Sequence, residues 1–139
     1  MSIIDSPIYN KLLFKKTITL GNLYFFETYL IAEFNEGVII NFDNFNEAQL
    51  AIKEHYNNAA FGFISNRIHS YSIVITDAPK FNTTFNNLKA YATVTYSSFA
   101  SKVFEMENHF FEFNRKNFDD LSNAIIWVEE SLKGITTSS

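Results

Sequence analysis

The fold is decided by the stretch Phe61-Gly62-Phe63-Ile64-Ser65-Asn66-Arg67-Ile68-His69-Ser70-Tyr71-Ser72-Ile73, in which an apolar run gives way abruptly to polar side chains. The apolar part, which begins at Ala59, is typical of a central strand covered on both faces of a sheet. The polar part predicts a loop at the carboxyl end of that strand. Because α/β proteins often hold their functional groups on such loops, this one is the first candidate for a functional site.

The composition indicates one globular domain with a sizeable core. The chain has 139 residues, of which 47% are hydrophobic and 19% charged. These values fit a single domain, and a second domain is not expected. The aromatic content is high, with 16 Phe, 7 Tyr and 1 Trp. Core filling explains most of these rings, and an exposed aromatic patch at a dimer or ligand site is the alternative.

Charge and cysteine content exclude several classes of function. The chain has 11 Lys and Arg against 15 Asp and Glu, with no basic block, which argues against nucleic acid as a partner because phosphates must be neutralised. The lack of Cys excludes disulfides, thiolate zinc sites and cysteine nucleophiles. No signal-peptide pattern is seen, and no apolar run approaches the roughly 20 residues of a membrane-spanning helix. We therefore expect a cytoplasmic protein.

The first half of the chain predicts a β-meander followed by a helix. Residues 1–14, which include Pro7, are expected to form an N-terminal arm. Short β-favouring runs predict strands at Thr17–Leu20, Leu23–Phe26, Tyr29–Phe34 and, briefly, Val38–Ile40. The second and third of these strands form an antiparallel hairpin. Asn44 and Glu47 have the spacing of a capping box for a helix that ends near Tyr56.

Helices and strands then alternate. Thr76 or Asp77 is expected to cap a short helix whose apolar face consists of Phe81, Phe85 and Leu88, and a strand is predicted from Tyr91 to Tyr96. Ser97 or Ser98 is predicted to cap the next helix. The residues expected on the core side of that helix recur at helical spacing: Phe99, Val103, Met106 and Phe110.

The last segment predicts a short strand and a final helix. Phe111–Phe113 is the strand candidate, and Asn117 is expected to cap the helix. The predicted core stripe of this helix is Leu121, Ile125, Val128 and Leu132, with Trp127 at the margin. Lys133-Gly134 should end the helix, so residues 134–139 are expected to form a disordered tail.

This order of elements predicts an α/β protein with a mixed sheet and helices packed on it. About five strands and four helices form one domain over residues 15–133. With right-handed crossovers, the strand at Phe61 lies inside the sheet and its loop emerges at the carboxyl edge. The opening hairpin leaves an edge strand through which two copies can pair as a homodimer.

The chain also resembles a group of small uncharacterised bacterial proteins that are similar to SpoIIAA-like, STAS-like domains. The resemblance is carried by the run from Gly62 to Ser72, by Tyr24-Phe25-Phe26-Glu27, by Glu33-Phe34-Asn35-Glu36-Gly37, and by Phe118 with Ala124-Ile125-Ile126-Trp127. It extends from about Thr17 to Leu132. The fold that it implies is the SpoIIAA-like sheet with an opening meander and alternating helices and strands.

The resemblance implies two functions. In anti-sigma-factor antagonists of the STAS type, the strand after the first helix ends in an Asp-Ser-Ser-Gly-like loop, and a partner kinase phosphorylates a serine there. The matching strand ends Ile64-Ser65-Asn66-Arg67, so Ser65 falls near the acceptor position, without the preceding Asp or the following Gly. Related SpoIIAA-like and SEC14-like proteins imply an apolar ligand or lipid held against the sheet.

Six polar residues are the candidate partner-binding or ligand-binding residues: Ser65, Asn66, Arg67, His69, Ser70 and Ser72. Arg67 can hold a carboxylate or phosphate through two hydrogen bonds, or it can brace the loop against carbonyls or Asp77. His69 has the chemistry of a general base, although no nucleophile is apparent for it. Ser70 and Ser72 can simply be turn-forming hydroxyls.

Other charged residues fit no metal or cofactor motif. Glu105 and His109 are four residues apart on one predicted helix, but a metal site needs a third ligand. The acidic cluster in the first half is expected at solvated strand ends and caps: Glu33, Glu36, Asp43 and Glu47. We therefore predict no cofactor. The favoured function is a non-enzymatic regulatory or protein-interaction module, followed by a binder of an apolar ligand, lipid or anion, with an enzyme third because no nucleophile elbow is present.

Overall fold

The structure is a computed structural model that describes the backbone of residues 1–137 and the side chains of residues 1–133. Its main sheet begins as an antiparallel meander of β1 (Phe14–Ile18), β2 (Gly21–Phe25) and β3 (Tyr29–Phe34). Three parallel strands continue it: β5 (Phe61–Asn66), β7 (Leu88–Val94) and β8 (Arg115–Phe118). The strand order is β1-β2-β3-β5-β7-β8. The predicted mixed α/β class and the interior position of the Phe61 strand are confirmed.

Two short strands form a second, parallel sheet. They are β4 (Ile39–Ile40) and β6 (Ser72–Ile73). The predicted extension at Val38–Ile40 therefore pairs with the segment after the polar loop and does not join the main sheet. The pairing of β4 with β6 connects the turn after β3 with the loop after β5.

Helices cover both faces of the main sheet. Their bounds are α1 (Asn46–Tyr56), α2 (Ala78–Asn82), α3 (Ser98–Glu107) and α4 (Leu121–Thr137). The first three lie in the crossovers between parallel neighbours, and consecutive crossovers of one hand place their helices on one side. We call that side the crossover face. The helix α4 packs against β5, β7 and β8 on the other side, the α4 face.

The core is divided between these two faces. On the crossover face, large rings dominate, among them Phe34, Phe61 and Phe63, which pack with Ile52 of α1. On the α4 face, Ala90 and Ala92 of β7 meet the predicted stripe of the last helix, whose four members are all buried. The stripe is thus confirmed. Over β5 and β7, small strand residues face α4, whereas rings such as Phe61, Phe63 and Tyr91 face the other side.

The N-terminal residues are packed on the sheet. The predicted arm over residues 1–14 consists of two 3-10 turns, Ile3–Asp5 and Pro7–Lys11, before β1 begins. Ile3 is fully buried and packs in the α4-face core. The turns lie over β2 and β3, where Tyr9 contacts the ring of Tyr24 and Ile3 N donates to Glu33.

Several predicted element ends are wrong for local reasons. Phe45 precedes α1 without a side-chain cap, and Asn44 instead accepts from Asn41 N at 2.9 Å. Asn117 lies within β8, while Asp120 Oδ1 accepts from Asn123 N at 2.7 Å and caps α4. The predicted cap at Ser97 is confirmed, through Ala100 N at 3.1 Å. Asp77 occupies the N-cap position of α2, as predicted, but its side chain makes no cap hydrogen bond.

The remaining differences lie near the edge of the sheet and the chain terminus. The helix predicted to include Phe85 and Leu88 ends at Asn82, and Leu88 begins β7. The edge strand is Arg115–Phe118, since Phe111–Phe113 packs as a connection against the crossover-face core. The helix α4 continues past Lys133-Gly134 to Thr137. The tail predicted for residues 134–139 lies outside the residues whose side chains are described.

The orientation of α3 differs most from expectation. Phe99 is 76% exposed, Met106 58% and Phe110 49%, so the side predicted to face the core faces solvent. The helix buries Phe104 and Glu107 instead. Because Glu107 pairs with arginines that rise from the sheet, an ion pair and not the apolar stripe determines how α3 lies on the crossover face.

Candidate functional site

The strand β5 divides the six predicted site residues between the two faces of the sheet. Successive side chains of a strand point in opposite directions. Since β5 extends to Asn66, Ser65 and Arg67 are directed to the crossover face and Asn66 to the α4 face. Beyond the strand, three of the six are exposed: His69, Ser70 and Ser72. The structure therefore does not bring all six together in one site.

Asn66 belongs to a polar cluster that holds the N-terminal segment. Glu33 at the end of β3 is only 6% exposed and accepts from Ser2 Oγ at 2.6 Å and from Ile3 N at 2.7 Å. Asn66 Nδ2 donates to the same carboxylate at 2.7 Å. The expectation that Glu33 is solvated is wrong, because the first residues of the chain cover it.

Tyr96 completes this cluster from the loop after β7. Its hydroxyl donates to Asn66 Oδ1 at 2.7 Å. Burial, followed by the charge of Glu33, raises the pKa of Tyr96 to about 12. The phenol is therefore protonated at neutral pH and can donate this hydrogen bond. Asn66 thus has a structural role, since its side chain connects β5 with Glu33 and Tyr96.

Arg67 is paired inside the protein and does not project from the loop. Its Nη2 lies 2.7 Å from Glu107 Oε1, with side-chain exposures of 4% and 3%. Its guanidinium also lies over the ring of Tyr71, at 4.8 Å from the ring centre. Burial alone would lower the pKa of Arg67, but the neighbouring tyrosines and Glu107 hold this pKa above its ordinary value. The cation persists and braces the loop to α3.

The alternative brace at Asp77 is not used by Arg67. Asp77 Oδ2 instead accepts from Phe42 N at 2.9 Å. One polar atom of Arg67, Nε, is buried and has no hydrogen-bond partner among the described residues. Arg67 therefore retains some unused capacity to bind an anion.

The Ser65 side chain is buried and hydrogen-bonded. It has no solvent exposure, and its hydroxyl forms a hydrogen bond with the hydroxyl of Tyr71. Burial raises the pKa of Tyr71 to about 12, against the opposing effect of Arg67. A kinase could reach the Ser65 hydroxyl only after the loop had opened.

The exposed part of the loop is ordered by Glu36. This residue follows β3 and accepts from Ser70 N at 2.8 Å, while Gly37 N donates to Ser70 O at 2.7 Å. His69 Nδ1 lies 3.8 Å from the same carboxylate, and both side chains are at least half exposed. The His69 ring is thus exposed to solvent beside the Glu36 carboxylate.

A groove separates this loop from α3. We call it the edge groove. It has a volume of about 220 Å³, and the residues that give it chemical character are Arg67, His69, Tyr71, Tyr96, Phe99 and Val103. Its walls are partly apolar, and they include the exposed His69 and Arg67, whose Nε has no hydrogen-bond partner among the described residues. Such a groove suits an apolar side chain next to an acidic group.

A second space, the interior cavity, lies between the sheet and the helices of the crossover face. Its volume is about 50 Å³, and rings such as Phe63, Tyr91 and Phe113 line it together with Arg115. The Arg115 side chain is 1% exposed, and its Nη2 lies 3.7 Å from Glu107 Oε1. The sequence did not predict that Glu107 and Arg115 are buried, because nothing in a sequence distinguishes a buried charged residue from an exposed one. The one signal was the position of Arg115 directly after the aromatic run at Phe111–Phe113.

Glu105 on α3 and His109 in the turn after this helix are both exposed. Within the described part of the chain, no three His, Asp or Glu side chains converge as metal ligands would. The described helices also include none with the length and apolar character needed to cross a membrane.

Comparison of the chain with protein-family models, with curated proteins and with solved structures gives no match. The functional proposals therefore depend on the geometry of the edge groove, α3 and the interior cavity.

Proposed function

We propose that this protein is a non-enzymatic regulatory module that binds a protein partner on α3 and the edge groove. The observation that carries the proposal is the exposed apolar side of α3. We call this surface the α3 stripe. Phe99 and Met106 are exposed on the helix, Val103 is half-buried between them, and Phe110 is exposed in the turn that follows the helix. Contiguous exposed apolar surface is characteristic of protein interaction sites.

Isolated exposed apolar residues elsewhere on the surface do not indicate an interaction site. Leu50 on α1 and Ile126 on α4 are 60% and 52% exposed, but neither is part of a helical repeat of exposed apolar residues. Single exposed residues of this kind are ordinary on protein surfaces. They serve as matched controls for the α3 stripe.

The partner that fits is an apolar segment with an acidic group at one end. The Phe99 end of the α3 stripe opens into the edge groove, where Arg67 and His69 lie. The N-terminus of α3 adds partial positive charge at the same end. An amphipathic helix of the partner, laid along α3 with its carboxylate in the groove, would use both features.

The proposal includes the SpoIIAA-like, STAS-like architecture and the cytoplasmic location. The meander followed by parallel strands supports the first, and the acidic, cysteine-free composition supports the second. Phosphorylation of Ser65 is not part of it, because that hydroxyl is buried. Nor is a homodimer through β1, since Lys15 and Lys16 on this edge strand are the charges that discourage edge pairing.

The test places a photo-crosslinking amino acid at position 99 or, as the matched control, at position 126, in native cells. The proposal expects one protein to be crosslinked from position 99 and not from position 126. The purified partner should then bind the wild-type protein, and Met106→Asp should weaken this binding at least about tenfold. Leu50→Asp should leave the affinity unchanged. Equal crosslinking from both positions, or equal binding by both Asp variants, would contradict the proposed surface.

A further inference from the structure

We propose that the interior cavity is a binding site for a small monocarboxylate with an apolar body, held by Arg115. This site is separate from the surface proposed for a protein partner. The edge groove includes Arg67, whereas the interior cavity includes Arg115, and Glu107 lies between the two guanidinium groups.

The first support is charge. Arg67, Glu107 and Arg115 form a buried group of two cations and one anion, with side-chain exposures of 4%, 3% and 1%. A buried charge without a counter-charge is unfavourable. Glu107 is nearer to Arg67, at 2.7 Å, than to Arg115, at 3.7 Å. The positive charge that remains uncompensated is therefore that of Arg115.

The second support is hydrogen bonding. The Nε and Nη1 atoms of Arg115 are buried and have no hydrogen-bond partner among the described residues. The guanidinium lies 4.6 Å from the ring centre of Phe104, 4.9 Å from Tyr91 and 5.0 Å from Phe111. Aromatic faces stabilise the charge of a cation, but they do not accept its hydrogen bonds as a carboxylate does.

The third support is the shape and chemistry of the cavity. Apart from Arg115, its lining is aromatic or aliphatic, with residues such as Ile40, Ile73 and Leu88. Its volume of about 50 Å³ exceeds the space needed by one water. A two-carbon acid would place its methyl group against these residues and its carboxylate on Arg115. A phosphate is disfavoured, because its additional oxygens would face apolar walls.

The decisive measurement compares acetate with acetamide, which has a similar shape and no charge. Isothermal titration of the wild-type protein should detect acetate binding, with acetamide at least about tenfold weaker. Leu88→Phe should fill the cavity and weaken acetate binding at least about tenfold. The exposed control Leu50→Phe should bind acetate as the wild-type protein does.

Arg115→Met tests the anchor directly and should abolish the preference for acetate over acetamide. If this variant does not fold, the wild-type comparison and Leu88→Phe still decide the question. Equal affinity for acetate and acetamide would overturn the role of Arg115. Acetate binding that survives in Leu88→Phe would place the anion elsewhere, and no binding at about 50 mM acetate would overturn the site itself.

Discussion

The two faces of the sheet are packed with different kinds of side chain. On the α4 face, one long helix meets strands that carry Gly62, Ala90 and Ala92. A Cβ atom added at Gly62 would overlap Val128 Cγ1, so the helix and β5 are in close contact. Small residues on the strands allow this approach.

The crossover face is closed by shorter helices and connections, and large rings fill it. Stacked pairs such as Tyr56 with Phe61 and Phe63 with Tyr91 occupy most of the space. Rigid rings that pack by their faces and edges cannot fill every gap, and the interior cavity remains. The close contact of helix and strand lies on the α4 face, whereas the crossover face holds the Arg67, Glu107 and Arg115 group and the interior cavity.

The largest predicted effect concerns the buried charges. Glu107→Gln should lower the free energy of unfolding by about 3–5 kcal/mol, since it leaves two guanidinium groups without a buried counter-charge. Urea unfolding measures this loss. Glu105→Gln, an exposed change on the same helix, should stay within about 0.5 kcal/mol of the wild-type protein. A similar small value for Glu107→Gln would mean that water reaches the charges.

The next effect tests the close contact on the α4 face. Gly62→Ala should destabilise the protein by about 1–3 kcal/mol, because the new methyl group overlaps Val128. Val128→Ala makes room for that methyl group. The double variant should therefore lose less stability than the sum of the two single variants, as measured by a double-mutant cycle. Simple additivity would show that the contact is looser than described.

A third prediction compares one tyrosine from each face under alkaline conditions. The pKa values of Tyr71 and Tyr96 are raised to about 12 in the folded protein, above the ordinary value of about 10. The folded state therefore binds more protons, and the stability gained from the neutral phenols is present below about pH 10 and falls as the pH rises towards 12.

Tyr71→Phe should reduce the slope of stability against pH in this window by at most about 1.4 kcal/mol per pH unit. Tyr96→Phe should have a smaller effect, because Tyr96 is 45% exposed. Chemical unfolding at a series of pH values tests both variants. An unchanged slope in Tyr71→Phe would contradict the buried environment of this phenol.

The smallest effect is expected from filling space on the crossover face. Leu88→Phe should change the stability by less than about 1 kcal/mol, because the cavity can accept added carbon atoms. Ala92→Val is the matched addition on the α4 face and should cost about 1–3 kcal/mol. Thermal unfolding of the two variants gives the comparison. Equal losses would mean that the two faces are equally well packed.

Periodicity in the sequence predicted the meander, the central strand and the stripe of α4, because these elements bury apolar residues at regular spacing. It failed for α3, where the same spacing of Phe99, Val103 and Met106 lies outside. There the buried pairing of Glu107 determines the orientation, and a long-range ion pair has no local signal in the sequence.

The structure divides the residues of the predicted site, whose role in binding stays a prediction. Ser65 and Asn66 are neighbours in the sequence, which predicts one shared loop for both. The strand extends to Asn66, however, so the two side chains lie on opposite faces. The partners of this segment, Glu33 and Glu107, are 33 and 40 residues away from Asn66 and Arg67 respectively, and only the folded topology brings them near.

The attachment of the first residues also has a consequence for the order of folding. Met1 O accepts from Asn66 Nδ2 and from the Tyr96 hydroxyl, groups that lie 65 and 95 positions further along the chain. During synthesis, Met1 precedes these groups by most of the chain. Contacts between distant residues also require slow loop closure. The segment around Met1 can therefore reach its final position only after the strands that bind it have formed.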